Sequence, residues 1–204
     1  MLFRSFETLN GTITNSIISD NIGSARIGAN IYNSKITNVK NIIANPHIYN
    51  SIIDNCTFNQ EGHIFDSTII NSQIIYGYWE NGYIFEINNS KITLNNNLSL
   101  FNVPNYSLNY PLTINGNNIL LNDNSNVIGF YDDRTNSRSP SDYSAKYITI
   151  KNNNITKNSK KLITGIGTNN IIKIKYINNI IKDTEGNIFI PTQEIHDNVE
   201  IIVE

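Results

Sequence analysis

The stretch "NSIIDNCTFNQ", residues 50–60, holds two units, "NSIID" and "NCTFN", set five residues apart. Each begins with Asn and a small residue and carries an aliphatic or Phe side chain three places after the Asn. The five-residue interval extends beyond the quoted stretch. Ile43, Ile48, Ile53 and Phe58 keep it, and Ile64, Ile69 and Ile74 take it up again. Such spacing suits a chain that lays down a very short strand, turns, and lays down another. In a β-solenoid each short strand pairs with its equivalent one coil away, and apolar residues fill a narrow core. Asn and Ser take the corners, where their side chains bond nearby backbone groups. A small residue two places before the core residue, such as Ser51 or Cys56, fits a crowded interior.

A longer repeat overlies the short one. Asn-Ser followed by Ile recurs at 15, 33, 50, 71 and 89, with "DSTII" at 66 as a variant. The steps 15 to 33, 33 to 50 and 71 to 89 are 17 to 18 residues, the length of one short solenoid coil. Composition agrees. Ile and Asn together make up more than a third of the 204 residues. β-branched Ile favours strands, whereas Asn favours turns and tolerates left-handed backbone. Stacked Asn side chains can also form ladders.

"NSIIDNCTFNQ" resembles a coil of right-handed parallel β-helix proteins of the pectin-lyase-like type, and its units resemble loose pentapeptide repeats. "GTITNSIISDNIGSARIGANIYNSKITN", residues 11–38, is similar to the repetitive segments of bacteriophage fibres and tailspikes. The resemblance covers about residues 11–94. It implies a trimeric β-helical virion protein.

From about residue 76 the texture changes. "YGYWENGYIFEI", "PLTINGNNILL" and "NNIIKDTEGNIFIP" place Asn81-Gly82, Asn115-Gly116 and Glu185-Gly186 between apolar runs. Asn-Gly between such runs is a strong hairpin signal, because a type I′ turn needs positive φ at both central residues. The expected fold is therefore all-β in two parts: a β-helical repeat region over 1–98 and an antiparallel sandwich-like or barrel-like domain over 99–204. A single β-helix with insertions is the alternative.

Net charge is −2, which offers no basic field for nucleic acid. The N-terminus lacks the apolar core of a signal peptide and no run reaches transmembrane length. The single cysteine, Cys56, gives no intrachain disulfide and no Cys-based zinc cluster; its slot suits a small buried residue rather than a nucleophile.

The sharpest local feature is the aromatic cluster Tyr76, Tyr78, Trp79 and Tyr83, suited to an interface or to glycan contact. Asp132, Asp133 and Arg134 lie in the polar stretch 129–147, which reads as a long exposed loop. Glu61, His63 and Asp66 put acid-base groups within six residues, on a solvated corner. "NDNSN" at 122–126 and "DTEGN" at 183–187 are fragments of calcium loops without the full spacing. "GIGTNN" at 165 lacks the third glycine of a nucleotide loop. No nucleophile, base and orienter set emerges, and no cofactor or metal is expected.

These readings point to a structural virion protein, a phage fibre, spike or capsid-attached appendage assembled in the host cytoplasm. Its expected partners are itself, as a homotrimer, other virion proteins and a host surface glycan; nucleic acid and membrane are not among them. The alternatives are a small β-helix polysaccharide lyase or hydrolase, as the pectin-lyase likeness implies, and a glycan-binding adhesin. Charged residues are thin in the repeats, which weighs against the enzyme.

Overall fold

The computed structural model describes residues 1–4, 8–20, 23, 25–59, 61–75, 85–95, 97–104, 112–131, 146–165, 172–190 and 199–203. Every strand pairing in both sheets is parallel, and each strand meets its equivalent one coil on. The chain is a three-faced solenoid. One coil runs through His47–Tyr49, Ile52–Asp54 and Thr57–Phe58, and the next through Gly62–Phe65, Thr68–Ile70 and Gln73–Ile75. The three strands of a coil lie on the first, second and third face in turn.

The core is a set of vertical ladders. On the second face Ile18, Ile36, Ile53, Ile69, Ile92, Ile119, Ile155 and Ile181 stand in register, one per coil. All eight are at most 5% exposed. On the first face Ile13, Ile31, Ile48, Ile64, Ile87, Ile114 and Ile150 do the same. On the third face Ile42, Phe58, Ile74, Phe101, Ile128 and Ile163 are stacked. Each fully buried aliphatic side chain contributes roughly 1.5–3 kcal/mol, and β-branched Ile suits a stacked strand. Phe85 packs edge-on against Phe58 and Phe101, with centroids at 5.8 and 5.7 Å. Gly62, in register with Phe85, makes room for that ring: a Cβ at 62 would lie 2.9 Å from it.

The five-residue series holds for Ile48, Ile53, Phe58, Ile64, Ile69 and Ile74, all buried. At its start it slips by one, since Ile42 is inside and Ile43 is half-buried. Four residues (38–41) rather than two separate the strands there.

The first corner, between the first and second faces, always has two residues. The leading one takes left-handed backbone: Asn15, Asn33, Asn50, Asp66, Asn89, Asn152 and Asn178 have φ of 48–55°, and Gly116 has 70°. The second residue is small, polar and turned inward. Ser16, Ser34, Ser51 and Ser67 each donate a backbone N–H to the next Ser Oγ, at 3.0–3.1 Å. Ser90, Asn117 and Asn153 continue the ladder onto the Oδ1 of Asn117, Asn153 and Asn179. Each Ser Oγ in turn donates to the carbonyl two residues before it, whereas Asn117 Nδ2 reaches Ile87 O in the preceding coil. A buried polar row is tolerated because its members are satisfied.

An expected result follows. Asn50→Gly should leave the thermal midpoint close to wild type, since Gly accepts positive φ. Asn50→Val should lower it by about 2–8 °C, because a left-handed β-branched residue costs roughly 1–2 kcal/mol. It also loses the Asn50 Nδ2 to Asn33 Oδ1 bond of 2.6 Å, as the Gly variant does. Melting both variants side by side separates backbone strain from that lost bond.

Among the described residues the antiparallel domain expected over 99–204 is not found, because the strands there pair in parallel. Ser99–Pro104, Leu112–Asn115 and Asn118–Leu121 pair in parallel with their equivalents, and both sheets run past residue 98. Asn115-Gly116 is a solenoid corner, not a hairpin, and Gly116 occupies the left-handed slot that Asn fills elsewhere. A Cβ there would also meet Asn89 Oδ1 at 2.6 Å. Glu185-Gly186 does turn the chain back, giving an antiparallel bridge between Lys182 and Ile188. Asn81-Gly82 lies outside the described residues.

The coil length is also not constant. Along the second-face ladder the steps are 18, 17 and 16 residues, then 23, 27, 36 and 26. The motif at 71 marks the second corner, where Asp20, Asn38, Asn55 and Asn71 are left-handed, so 71 to 89 is not one coil. The residue equivalent to Asn89 is Asp66.

Candidate functional site

Strand alternation turns two outward rows to the surface of the first face. One row contains Tyr32, Tyr49 and Phe65, in register. Their rings stack at 4.9 and 5.1 Å with interplanar angles of 9° and 12°. The spacing is that of neighbouring strands, so the inner ring faces are committed to one another rather than open to a sugar ring.

The second row contains Asn30, His47, His63 and Glu86. The two imidazoles stack at 4.4 Å and 24°. His63 Nδ1 lies 2.7 Å from Glu86 Oε1, with the side chains 16% and 30% exposed. Asn88 Nδ2 donates to the other carboxylate oxygen at 3.2 Å. Burial holds the His47 pKa below the usual imidazole value; His63 adds to the fall and Glu86 opposes it. Glu61, just before the His63 strand, is raised by burial, with His63 pulling the other way.

Of the three acid-base groups in "EGHIFD", read from the sequence as a solvated corner, Glu61 and His63 are thus electrostatic neighbours. Asp66 is separated from them: it is an exposed left-handed corner residue with φ 50°. His47 and Glu86 were missed by the sequence reading. They come from coils 16 and 23 residues away, and only the strand register joins them to His63.

Tyr76, Tyr78, Trp79 and Tyr83 lie outside the described residues, as do Asp132, Asp133 and Arg134. The "GIGTNN" stretch does too beyond Gly165. In "DTEGN" the Asp183 carboxylate accepts the N–H groups of Glu185 and Asn187 and the Asn187 amide, at 2.8–2.9 Å. These bonds hold its pKa down and make it the anchor of its own turn. In "NDNSN", Asn122 Oδ1 accepts the Asn124 N–H at 3.2 Å and Ser125 is fully buried. Cys56 occupies the inner slot of the second corner. It is 1% exposed, and burial pushes its thiol up to about 12, so it stays a thiol.

A second cluster surrounds Lys157, which is 1% exposed. Its Nζ donates to Ser125 O, Lys161 O and Asn126 Oδ1 at 2.5, 2.6 and 3.1 Å. A cleft of about 190 Å³ lies beside it, lined by Asp123, Asn124, Asn126, Ser159 and Lys161. Burial lowers its pKa to about 8, with Asp123 opposing and Lys161 adding to the fall. At neutral pH it is an ammonium whose three N–H donors are all used, which fits a structural cap and not a nucleophile.

Among the described residues no group of three or more His, Cys, Asp or Glu is placed to hold one metal ion, and no helix is long and apolar enough to cross a membrane. Comparison with protein-family models, curated proteins and solved structures finds no match to this chain.

Proposed function

We propose that the chain is a structural virion protein, a β-helical fibre, spike or capsid-attached appendage that associates as a homotrimer and with other virion proteins. The observation that carries this reading is the uninterrupted second face, nine parallel strands from Leu2–Arg4 to Ile180–Lys182. At ~4.8 Å per strand it extends roughly 40 Å. Corners tied coil to coil by buried hydrogen bonds make such a rod stiff, which is what an element transmitting position or force requires. Its outward rows expose Ile17, Ile52, Leu120 and Ile180 at 46, 44, 45 and 53%. Aliphatic side chains spread over a flat sheet suit association with further copies. Contact with a host glycan belongs to the same reading.

Light scattering on a sizing column tests it. The wild-type chain should run at three times its mass of 23.1 kDa. The double variant Ile52→Lys with Leu120→Lys should run as a monomer with an unchanged circular dichroism spectrum. A wild-type monomer at working concentration would sink the trimer.

A further inference from the structure

We infer that His47 and His63 form a clamp for a borderline transition-metal ion of the Zn²⁺, Ni²⁺ or Cu²⁺ class on the first face, with Glu86 as the positioning residue behind it. The inference is independent of the virion reading.

The geometry begins with Glu86. An ionised carboxylate only accepts, so the contact of 2.7 Å assigns the proton of neutral His63 to Nδ1. Nε2 is then left with an in-plane lone pair. A carboxylate behind an imidazole in this way is the usual support of a metal-binding histidine, since it fixes the tautomer and raises ligand basicity. Asn88 Nδ2 holds the second oxygen of Glu86, so the carboxylate is itself positioned.

His47 supplies the second ligand. It is in register with His63 on the neighbouring strand. The rings stack at 4.4 Å, tilted by 24°. Among the described residues no hydrogen bond is made to either ring nitrogen of His47. Two nitrogens that share an ion at about 2.0–2.1 Å each can lie no more than ~4.2 Å apart. As stacked, the two rings hold their in-plane lone pairs in near-parallel planes, so the His47 ring must turn about Cβ–Cγ until it stands steeply to that of His63 before both can meet one ion. The clamp therefore supplies two imidazoles, and water completes the shell. Imidazole donors select Zn²⁺, Ni²⁺ and Cu²⁺ over Mg²⁺ and Ca²⁺, which prefer oxygen. A bound ion would tie two consecutive coils together from outside.

The test uses the full chain without an affinity tag, titrated calorimetrically with each ion at a pH where imidazole is neutral. One equivalent of Zn²⁺, Ni²⁺ or Cu²⁺ should bind, with Cu²⁺ tightest, and neither Mg²⁺ nor Ca²⁺ should. His47→Ala and His63→Ala should each abolish the one-site isotherm while leaving the circular dichroism spectrum unchanged, since both side chains face outward. Glu86→Gln should keep the stoichiometry and weaken affinity about 10–100-fold. His196→Ala, which removes the remaining histidine of the sequence, should change nothing. The clamp is overturned if the wild-type chain binds none of the three ions. It is overturned equally if binding survives His47→Ala and His63→Ala, or if His196→Ala alone removes it.

Discussion

Ile53→Asp should leave no soluble folded protein. Ile53 is fully buried, with Ile36 and Ile69 as its partners in the second-face ladder. The backbone donors around it are already used in the sheet, and its side-chain neighbours are hydrocarbon. A carboxylate there would be charged without a partner or neutral without an acceptor for its proton. Either state costs several kcal/mol, a large share of a typical domain's stability of ~5–15 kcal/mol. The effect would not stay local, because each coil of a solenoid is stabilised by its neighbours. Ile53→Val is the control. It removes one methylene and should cost only about 0.5–1.5 kcal/mol. Soluble yield and circular dichroism read the first variant, and a denaturant melt reads the second. A soluble Asp variant with the wild-type spectrum would place residue 53 outside the core.

Lys157→Met should be the most damaging single change in the later coils. Met keeps the length and the apolar stem but has no donor, so Ser125 O, Lys161 O and Asn126 Oδ1 lose their ammonium partner together. A buried acceptor left unsatisfied costs about 1–3 kcal/mol. The neighbouring cleft lets water reach part of the site, so the sum falls to about 3–6 kcal/mol rather than the full multiple. Lys160→Met, three residues on at an exposed position, should stay within about 0.5 kcal/mol of wild type. A urea melt of the two variants makes the comparison. Equal midpoints for Lys157→Met and wild type would show that the three oxygens find water without the lysine.

Much of the fold was legible in the residues. The Asn-Ser pairs marked left-handed corners because Asn accepts positive φ and Ser bonds back to the chain, both local properties. The positions of Ile48, Ile53 and Phe58 marked the core because a strand of two or three residues offers one inward slot. The same local chemistry misled at Asn115-Gly116. A left-handed residue serves a hairpin and a solenoid corner equally well, and the choice depends on which strand the chain meets afterwards. The candidate site was half legible: His63 and Glu61 stood together in "EGHIF", but His47 and Glu86 did not.

By itself, then, the sequence determined an all-β chain of short strands, its corner residues and the inward member of most strands. These follow from φ preference and side-chain alternation, which act over two or three residues. The tertiary structure alone decided that the described later strands pair in parallel, that coil steps vary between 16 and 36 residues, and that His47, His63 and Glu86 share one outward row. Register between coils is set by the buried Ile and Ser/Asn ladders, whose partners lie a variable distance away along the chain. No fixed spacing in the sequence can record that distance.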